Sequence, residues 1–272
     1  TELPQETIFE MTGVPKQKLS ALIQGLPIRH IRGILDREIS SVVFDSRKAT
    51  LGSLFVAIHG FKKNGLTFIN DAITRGASAF VTEASDEELS NLSLSENSAT
   101  AIFTEDCRIA LASISSEYYH RPSDEIDLYG VTGTNGKTTV TYILDSIHKV
   151  RNEQSGIIGT INYSYGDTDL SASMTTPESL DINRMLYEMT ERQICQCFLE
   201  VSSHSLALKR VHGMRFAVGI FTNLSRDHLD FHVTMDSYKK AKKGLFRDNF
   251  VEKAVTNADD LTGREIAKEF SG

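Results

Sequence analysis

The sequence predicts an α/β protein of two units, an amino-terminal α/β unit followed by a P-loop-type parallel-sheet unit. Three observations predict it. From residue 128 onward, β-rich runs alternate with helical patterns, as in a parallel sheet covered by helices. A glycine turn, Gly130-Val131-Thr132-Gly133-Thr134-Asn135-Gly136-Lys137-Thr138-Thr139, lies between an apolar run and a helical run. Between the halves, His120-Arg121-Pro122-Ser123-Asp124 breaks the pattern and divides the chain into 19–122 and 123–272.

The elements follow in order. Thr1 to Lys18 is polar and reads as a flexible arm. Ser41–Asp45 and Ser53–Ile58 are paired strands around a turn at Leu51-Gly52. Phe68–Gly76 is a short helix closed by its glycine, and Ala79–Thr82 is a strand. Acidic, serine-rich Glu83–Ser98 is a surface loop or helix, and Ala101–Thr104 is a strand. Ile109, Leu111, Ile114 and Tyr118 space a helix over Arg108–Tyr119. Beyond the break, strands are expected at 128–132, 156–161, 197–201, 217–222 and 253–257. Helices are expected at 140–150, 177–192, 235–246 and 262–270.

Composition narrows the function classes. The 272 residues suffice for two cores, and 40% hydrophobic with 24% charged residues is ordinary for a soluble globular protein. A net charge of −7 argues against general nucleic-acid binding and suits a protein that manages anionic substrates with Mg²⁺. No apolar run reaches membrane-spanning length, and there is no signal-peptide core. Cys107, Cys195 and Cys197 lack zinc spacing, and the last two are expected to share one strand face as unpaired thiols. A reducing cytoplasm is the natural compartment.

The glycine turn carries chemistry. Glycines let backbone N–H groups approach oxyanions, and the helix N-terminus adds its positive end. Gly133, Thr134, Asn135, Gly136, Lys137, Thr138 and Thr139 would hold ATP, with Lys137 on the outer phosphates and Thr138 on Mg²⁺. The usual spacing wants a glycine five residues before Gly136, where Val131 stands, so the loop is a variant.

Four further segments follow strands: Thr175-Thr176-Pro177, Glu200-Val201-Ser202-Ser203-His204, Thr222-Asn223-Leu224-Ser225-Arg226-Asp227-His228-Leu229-Asp230, and Tyr238 to Phe246. With the glycine turn they resemble the Mur ligases, the ATP-dependent amino-acid ligases of peptidoglycan synthesis. The branch resembled adds diaminopimelate or lysine to the D-Glu of UDP-MurNAc-L-Ala-D-Glu through an acyl phosphate. Asp45-Ser46-Arg47, followed by Gly52-x-Leu54-Phe55-Val56-Ala57 and Gly60, looks like that family's UDP-binding domain.

The resemblance implies roles. Residues 19–122 would bind UDP-MurNAc and 123–272 would be an incomplete central ATPase domain. A carboxyl-terminal amino-acid-binding domain is not reached, so the sequence reads as a fragment without turnover of its own. Glu200 matches a Mg²⁺ carboxylate, His228 a second-metal histidine, and Lys242 a lysine carried as a carbamate that supports a second Mg²⁺. Lys137, His228 and Lys242 would be catalytic. Ser46, Thr175, Thr176, Ser202 and Arg210 match contacts to the UDP-MurNAc-dipeptide, and Phe61, Lys62 and Lys63 lie where the family loop touches uridine diphosphate. The family often has asparagine where Met174 stands and glycine where Ser205 stands.

Plainer readings stand beside these. Thr176 before Pro177 suits a helix N-cap. Lys239, Lys240, Lys242, Lys243 and Arg247 suit a solvated helix face. A folylpolyglutamate synthetase shares the phosphate loop, but Asp45-Ser46-Arg47 and Glu200-Val201-Ser202-Ser203-His204 argue against it. A non-catalytic nucleotide-binding scaffold would have no physical need for phosphate- and metal-binding groups at the ends of several strands.

Overall fold

The computed structural model describes residues 14–60, 64–90, 99–247 and 250–270. The first unit opens with β1 (Gln17–Lys18), α1 (Leu19–Leu22), β2 (Ile28–Arg32) and β3 (Glu38–Ile39). It continues through β4 (Ser41–Val43), β5 (Ser53–Val56), α2 (Ile69–Thr74), β6 (Ala79–Thr82), α3 (Asp86–Ser90), β7 (Thr100–Thr104) and α4 (Cys107–Tyr118). Its main sheet has five strands in the order β2-β7-β6-β5-β4, all pairs parallel except β2 with β7. The two-residue side-chain period splits this sheet cleanly between two cores. Leu54, Val56, Val81 and Ile102 face α1 and α4, whereas Phe55, Phe80, Ala101 and Phe103 face α2.

The expected strand pair at 41–45 and 53–58 is present, but parallel rather than folded about a tight turn. A 3₁₀ turn at Ser46–Lys48, capped by Asp45, carries the chain between them. The edge strand β2 went unpredicted because its two apolar residues, Ile28 and Ile31, are three apart among basic residues and lack the strand period of two. Thr1–Gly13 of the expected arm and Phe61, Lys62 and Lys63 lie outside the described residues.

The break holds two successive left-handed residues, His120 (φ 60°) and Arg121 (φ 56°), before a 3₁₀ turn at Pro122–Asp124. The second unit then contains β8 (Asp127–Thr132), α5 (Lys137–Val150), β9 (Gly156–Ile158), β10 (Asn162–Tyr165), β11 (Thr168–Ser171) and α6 (Ser179–Glu191). It is completed by β12 (Gln196–Glu200), α7 (Ser203–Ala207), β13 (Arg215–Phe221), α8 (Leu229–His232), α9 (Met235–Lys243), β14 (Phe250–Thr256) and α10 (Leu261–Glu269). The seven strands run in the order β11-β10-β9-β12-β8-β13-β14. From β9 to β14 the neighbours are parallel, as expected, while β10 and β11 form an antiparallel hairpin at the edge. The strand expected at 156–161 stops at Ile158, and Gly159 to Ile161 bend the chain into that hairpin.

Helix α6 lays Ile182, Met185, Leu186 and Met189 on Leu128, Cys197 and Leu199, an i, i+3, i+4, i+7 stripe against a buried parallel sheet. Its Leu180 and Tyr187 pack instead with α4 and join the first unit's core, so α6 serves both units. Cys195 and Cys197 do not share a face. Cys195 is exposed in the turn before β12, and Cys197 is buried within the strand.

Gly130 belongs to β8 rather than to the phosphate turn. A Cβ there would lie 2.7 Å from the Phe216 ring of neighbouring β13, a side chain with no exposed surface. Gly130→Ala is expected to destabilise the fold by about 1–3 kcal/mol through overpacking, read as a lower urea midpoint at unchanged slope.

Candidate active site

The turn between β8 and α5 brings backbone donors to the carboxyl end of the sheet. Gly133 (φ 145°) and Gly136 (φ 86°) adopt left-handed backbone, and a Cβ at Gly133 would sit 1.9 Å from Thr222 Oγ1. The helix starts at Lys137, one turn earlier than the apolar spacing suggested, because Gly136 caps it. The turn is pinned to the end of β13. Thr134 N donates to Asn223 O (2.8 Å), Asn135 N to Asn223 Oδ1 (3.1 Å), and Thr222 Oγ1 to Asn135 O (2.6 Å). Thr134 Oγ1 accepts from Ser225 N (3.0 Å) and shares a hydrogen bond with Tyr238 OH (3.1 Å). Thr139 is exposed on the first turn of α5.

Two lysines converge on one carbonyl of this turn. Lys137 Nζ donates to Gly133 O and Thr134 O, both at 3.0 Å, and Lys242 Nζ donates to Gly133 O at 2.6 Å. Burial lowers the Lys137 pKa, opposed by the charges of Glu200 and Asp227. Lys242 is 1% exposed, and its ammonium packs 4.7 Å from the Tyr238 ring centroid. Burial, and then the charge of Lys137, lower its pKa to about 7.

The solvated-face reading of the basic cluster therefore divides. Lys239 and Lys243 pair with Glu265, and Lys243 and Arg247 pair with Glu269, all against α10. Lys242, between them on the buried side of α9, reaches the other way, to Gly133 O of the glycine turn.

Glu200 ends β12 and is fully buried. It accepts from Thr138 Oγ1 (2.9 Å), Thr160 N (2.9 Å) and Thr160 Oγ1 (3.0 Å). A Cβ on Gly159 would lie 2.3 Å from Glu200 Oε1, so that glycine makes room for the carboxylate. Thr160 and Gly159 were not singled out in the sequence; their signal was position alone, directly after a strand.

His228 (φ 50°) precedes α8, 3.5 Å from Asp227 Oδ2. Its ring stands edge-on to His204 (4.9 Å) and 6.1 Å from Tyr238. His204, its ring tilted against Phe231 at 4.2 Å, is a further neighbour, known from the sequence only as the end of a motif and without a role. Among the described residues no three His, Cys, Asp or Glu side chains are gathered to hold a metal. Thr138 and Glu200 do touch, and two oxygen donors beside a phosphate turn match the hard-ligand preference of Mg²⁺, which keeps waters and substrate phosphates as its other ligands.

Thr176 does not cap a helix. Its Oγ1 donates to Glu200 O (2.7 Å) and accepts from Ser202 N (3.1 Å), tying two strand-end segments together, and α6 begins only at Ser179. Ser202 is the real cap, accepting from Ser205 N to start α7. Thr175 Oγ1 accepts from Thr160 Oγ1 (3.1 Å). Arg210 grips Glu178 Oε1 with Nε and Nη2 (2.9 Å each) and donates through Nη1 to Thr176 O (2.9 Å). Thr175, Thr176, Ser202 and Arg210 thus form one patch beside Glu200. Ser46 stands apart in the first unit, buried, hydrogen-bonded to Asp71 and holding that carboxyl below its usual range together with Arg75.

Comparison with known proteins matches residues 131–272 to the Mur ligase middle domain and 38–119 to the Mur ligase family, catalytic domain. A UDP-N-acetylmuramoyl-L-alanyl-D-glutamate--2,6-diaminopimelate ligase of Alkaliphilus oremlandii is 43% identical over 251 residues, covering 92% of this chain and 50% of the relative. The ligase of the same name from Clostridioides difficile is 41% identical over 255 residues, covering 94% and 51%. A solved structure of a ligase of that name superposes with a TM-score of 0.77 at 24% identity, over 93% of this chain and 50% of that one. The chain spans about half the length of the curated relatives it matches.

The Lys242 environment has a pH signature. Below pH 7 its amine is protonated folded and unfolded, and the full cost of burying charge is felt. Between pH 7 and the ordinary lysine value the unfolded chain binds more protons, so stability rises with pH, by at most about 1.4 kcal/mol per unit. Lys242→Met should therefore stabilise the protein most near pH 6, and its advantage should shrink by pH 9. Urea titrations in CO₂-free buffer check this; an advantage independent of pH would show that the amine is not strained.

Proposed function

The chain belongs to the Mur ligase family, and on that premise we propose that it carries the ATP and acyl-donor sites of a ligase that extends UDP-MurNAc-L-Ala-D-Glu in the cytoplasm. Residues 19–122 serve as the UDP-MurNAc-binding domain and 123–272 as the ATP-binding domain. The observation that carries the reading is the meeting of Lys137, Lys242, Thr138 and Glu200 around one glycine turn at the sheet's carboxyl end. The relatives' shared name favours 2,6-diaminopimelate as the amino acid added. No helix of the described residues is long and apolar enough to cross a membrane.

The chemistry follows from the donors present. Backbone N–H groups of Gly136 to Thr139 at the start of α5 face the phosphates of ATP, while Thr134 N and Asn135 N stay on Asn223 and hold the turn in shape. Lys137, now folded back on Gly133 O and Thr134 O, swings to the γ-phosphoryl group and neutralises charge as it transfers to the D-Glu carboxylate. Thr138 and Glu200 would hold Mg²⁺, which supplies charge neutralisation on the transferring group. Thr175, Thr176, Ser202 and Arg210 orient the muramoyl-dipeptide, and Ser46 its uridine diphosphate. The product of this half-reaction is an acyl phosphate, which the incoming amine then attacks.

Lys242 suits carbamylation. A neutral amine is the form that attacks CO₂, and this one is buried, beside a second cation and without a carboxylate within ion-pair distance among the described residues. Addition of CO₂ to the amine with loss of a proton would leave a carbamate anion that offsets Lys137 and, with His228, would help to hold a second Mg²⁺.

An enzyme containing this chain should release ADP from ATP only when UDP-MurNAc-dipeptide is present. Lys137→Ala is expected to lower that release by about 10²–10³-fold, the scale for removing one preorganised group that stabilises charge. Release independent of the dipeptide, or unchanged in the variant, would refute the assignment. Lys242→Ala should lose most activity and regain part of it with added short carboxylic acids; full activity without them would restore the purely structural reading of this lysine.

A further inference from the structure

Arg108 opens α4 in the first unit yet reaches across to the second. Its Nη1 lies 3.5 Å from Glu178 Oε2 and makes no hydrogen bond, and its Nη2 donates to His59 O (3.2 Å). Glu178 is 8% exposed and places its two oxygens differently. Oε1 takes Arg210 through Nε and Nη2, and Oε2 faces Arg108. Arg210 Nη1 is held by Thr176 O, and Thr176 in turn bonds the carbonyl of Glu200. Three of the five N–H donors of Arg210 are thus engaged within the protein, which fixes the plane of the guanidinium and leaves two for a ligand.

We propose that Arg108 is a positioning residue for substrate recognition: through Glu178 it sets the orientation of Arg210, so that the first unit controls how the second grips the anionic dipeptide. This rests on the reading of Arg210 as a dipeptide contact. The physical basis is competition. A carboxylate held by two guanidiniums from different units has a defined orientation, whereas one held by Arg210 alone follows that side chain. Without Arg108, Glu178 bonds Arg210 more strongly and in more than one geometry, and both effects compete with a substrate carboxylate. A purely adhesive role for Arg108 between α4 and α6 would instead change stability without discriminating among ligands.

The test is calorimetric titration of the full chain with three probes: UDP-MurNAc-dipeptide, UDP and Mg·ADP. Arg108→Gln should weaken the dipeptide-bearing ligand about tenfold, the scale of a charge-assisted hydrogen bond, and leave UDP and Mg·ADP within twofold. Arg210→Gln should weaken it at least as much, and Arg108→Gln added to Arg210→Gln should cost nothing further, because the relay then has no terminus. If Arg108→Gln fails to fold, Arg108→Lys keeps the charge, loses the planar fork and should show part of the same selective loss. An unaltered dipeptide affinity, an equal loss for Mg·ADP, or an additive double variant would overturn the relay. Failure of the unsubstituted chain to bind UDP-MurNAc-dipeptide, while UDP and Mg·ADP bind, would overturn the dipeptide reading of Arg210 itself and the relay with it.

Discussion

Two lysine ammoniums on one carbonyl oxygen is the arrangement around which the second unit is organised. Lys137 and Lys242 both donate to Gly133 O, in a place where water is largely excluded. Like charges at that separation repel, and burial strengthens the repulsion. The nearby anions offset it incompletely: Glu200 is committed to Thr138 and Thr160, and Asp227 lies toward His228. Burial first, and this repulsion second, depress the Lys242 pKa to about 7, and loss of its proton is one relief. A polyanionic ligand, or conversion of one amine to an anion, would be others. The excess of positive potential is thus a property of the turn itself, and it favours a polyanionic ligand over a neutral one.

The glycines of the motif divide by physical cause. Gly133 and Gly136 are needed for backbone conformation and for contact with β13, which makes the turn possible. Gly130 instead answers to Phe216 on the next strand, and Gly159 to the carboxylate of Glu200. A variant spacing with Val131 in place of a glycine is tolerated because Val131 is an ordinary interior strand residue, buried in β8 and paired with β12 and β13.

This division also explains what was legible in the sequence. Strand and helix alternation comes from local period, so the parallel sheet of the second unit could be read directly, and the glycine turn between β8 and α5 with it. Lys242 could not be separated from Lys239 and Lys243 by composition. What separates them is that Glu265 and Glu269, more than twenty residues away, hold Lys239 and Lys243 against α10. Thr176 was ambiguous for a related reason. A threonine before proline is locally a cap, but here the end of β12 offers its hydroxyl better partners, Glu200 O and Ser202 N. The hairpin of β10 and β11 was missed because its outer strand is mostly exposed and lacks a hydrophobic face to announce it. In each case the deciding contact is remote in sequence.

The contact between the units poses the same question at larger scale. Helices α4 and α6 already meet through Leu180, Tyr119 and Tyr187, enough to join the two cores. A largely buried carboxylate between two arginines adds little to such an interface, because desolvation offsets most of the attraction and an apolar trio of similar volume would often hold as well or better. Stability alone therefore does not account for Arg108, Glu178 and Arg210. What the trio supplies and an apolar contact does not is direction: a guanidinium plane fixed relative to Thr176, and through Thr176 relative to the strand end that carries Glu200. In the proposed reaction a carboxylate must arrive in line with a phosphoryl group, and there orientation governs rate more strongly than adhesion does.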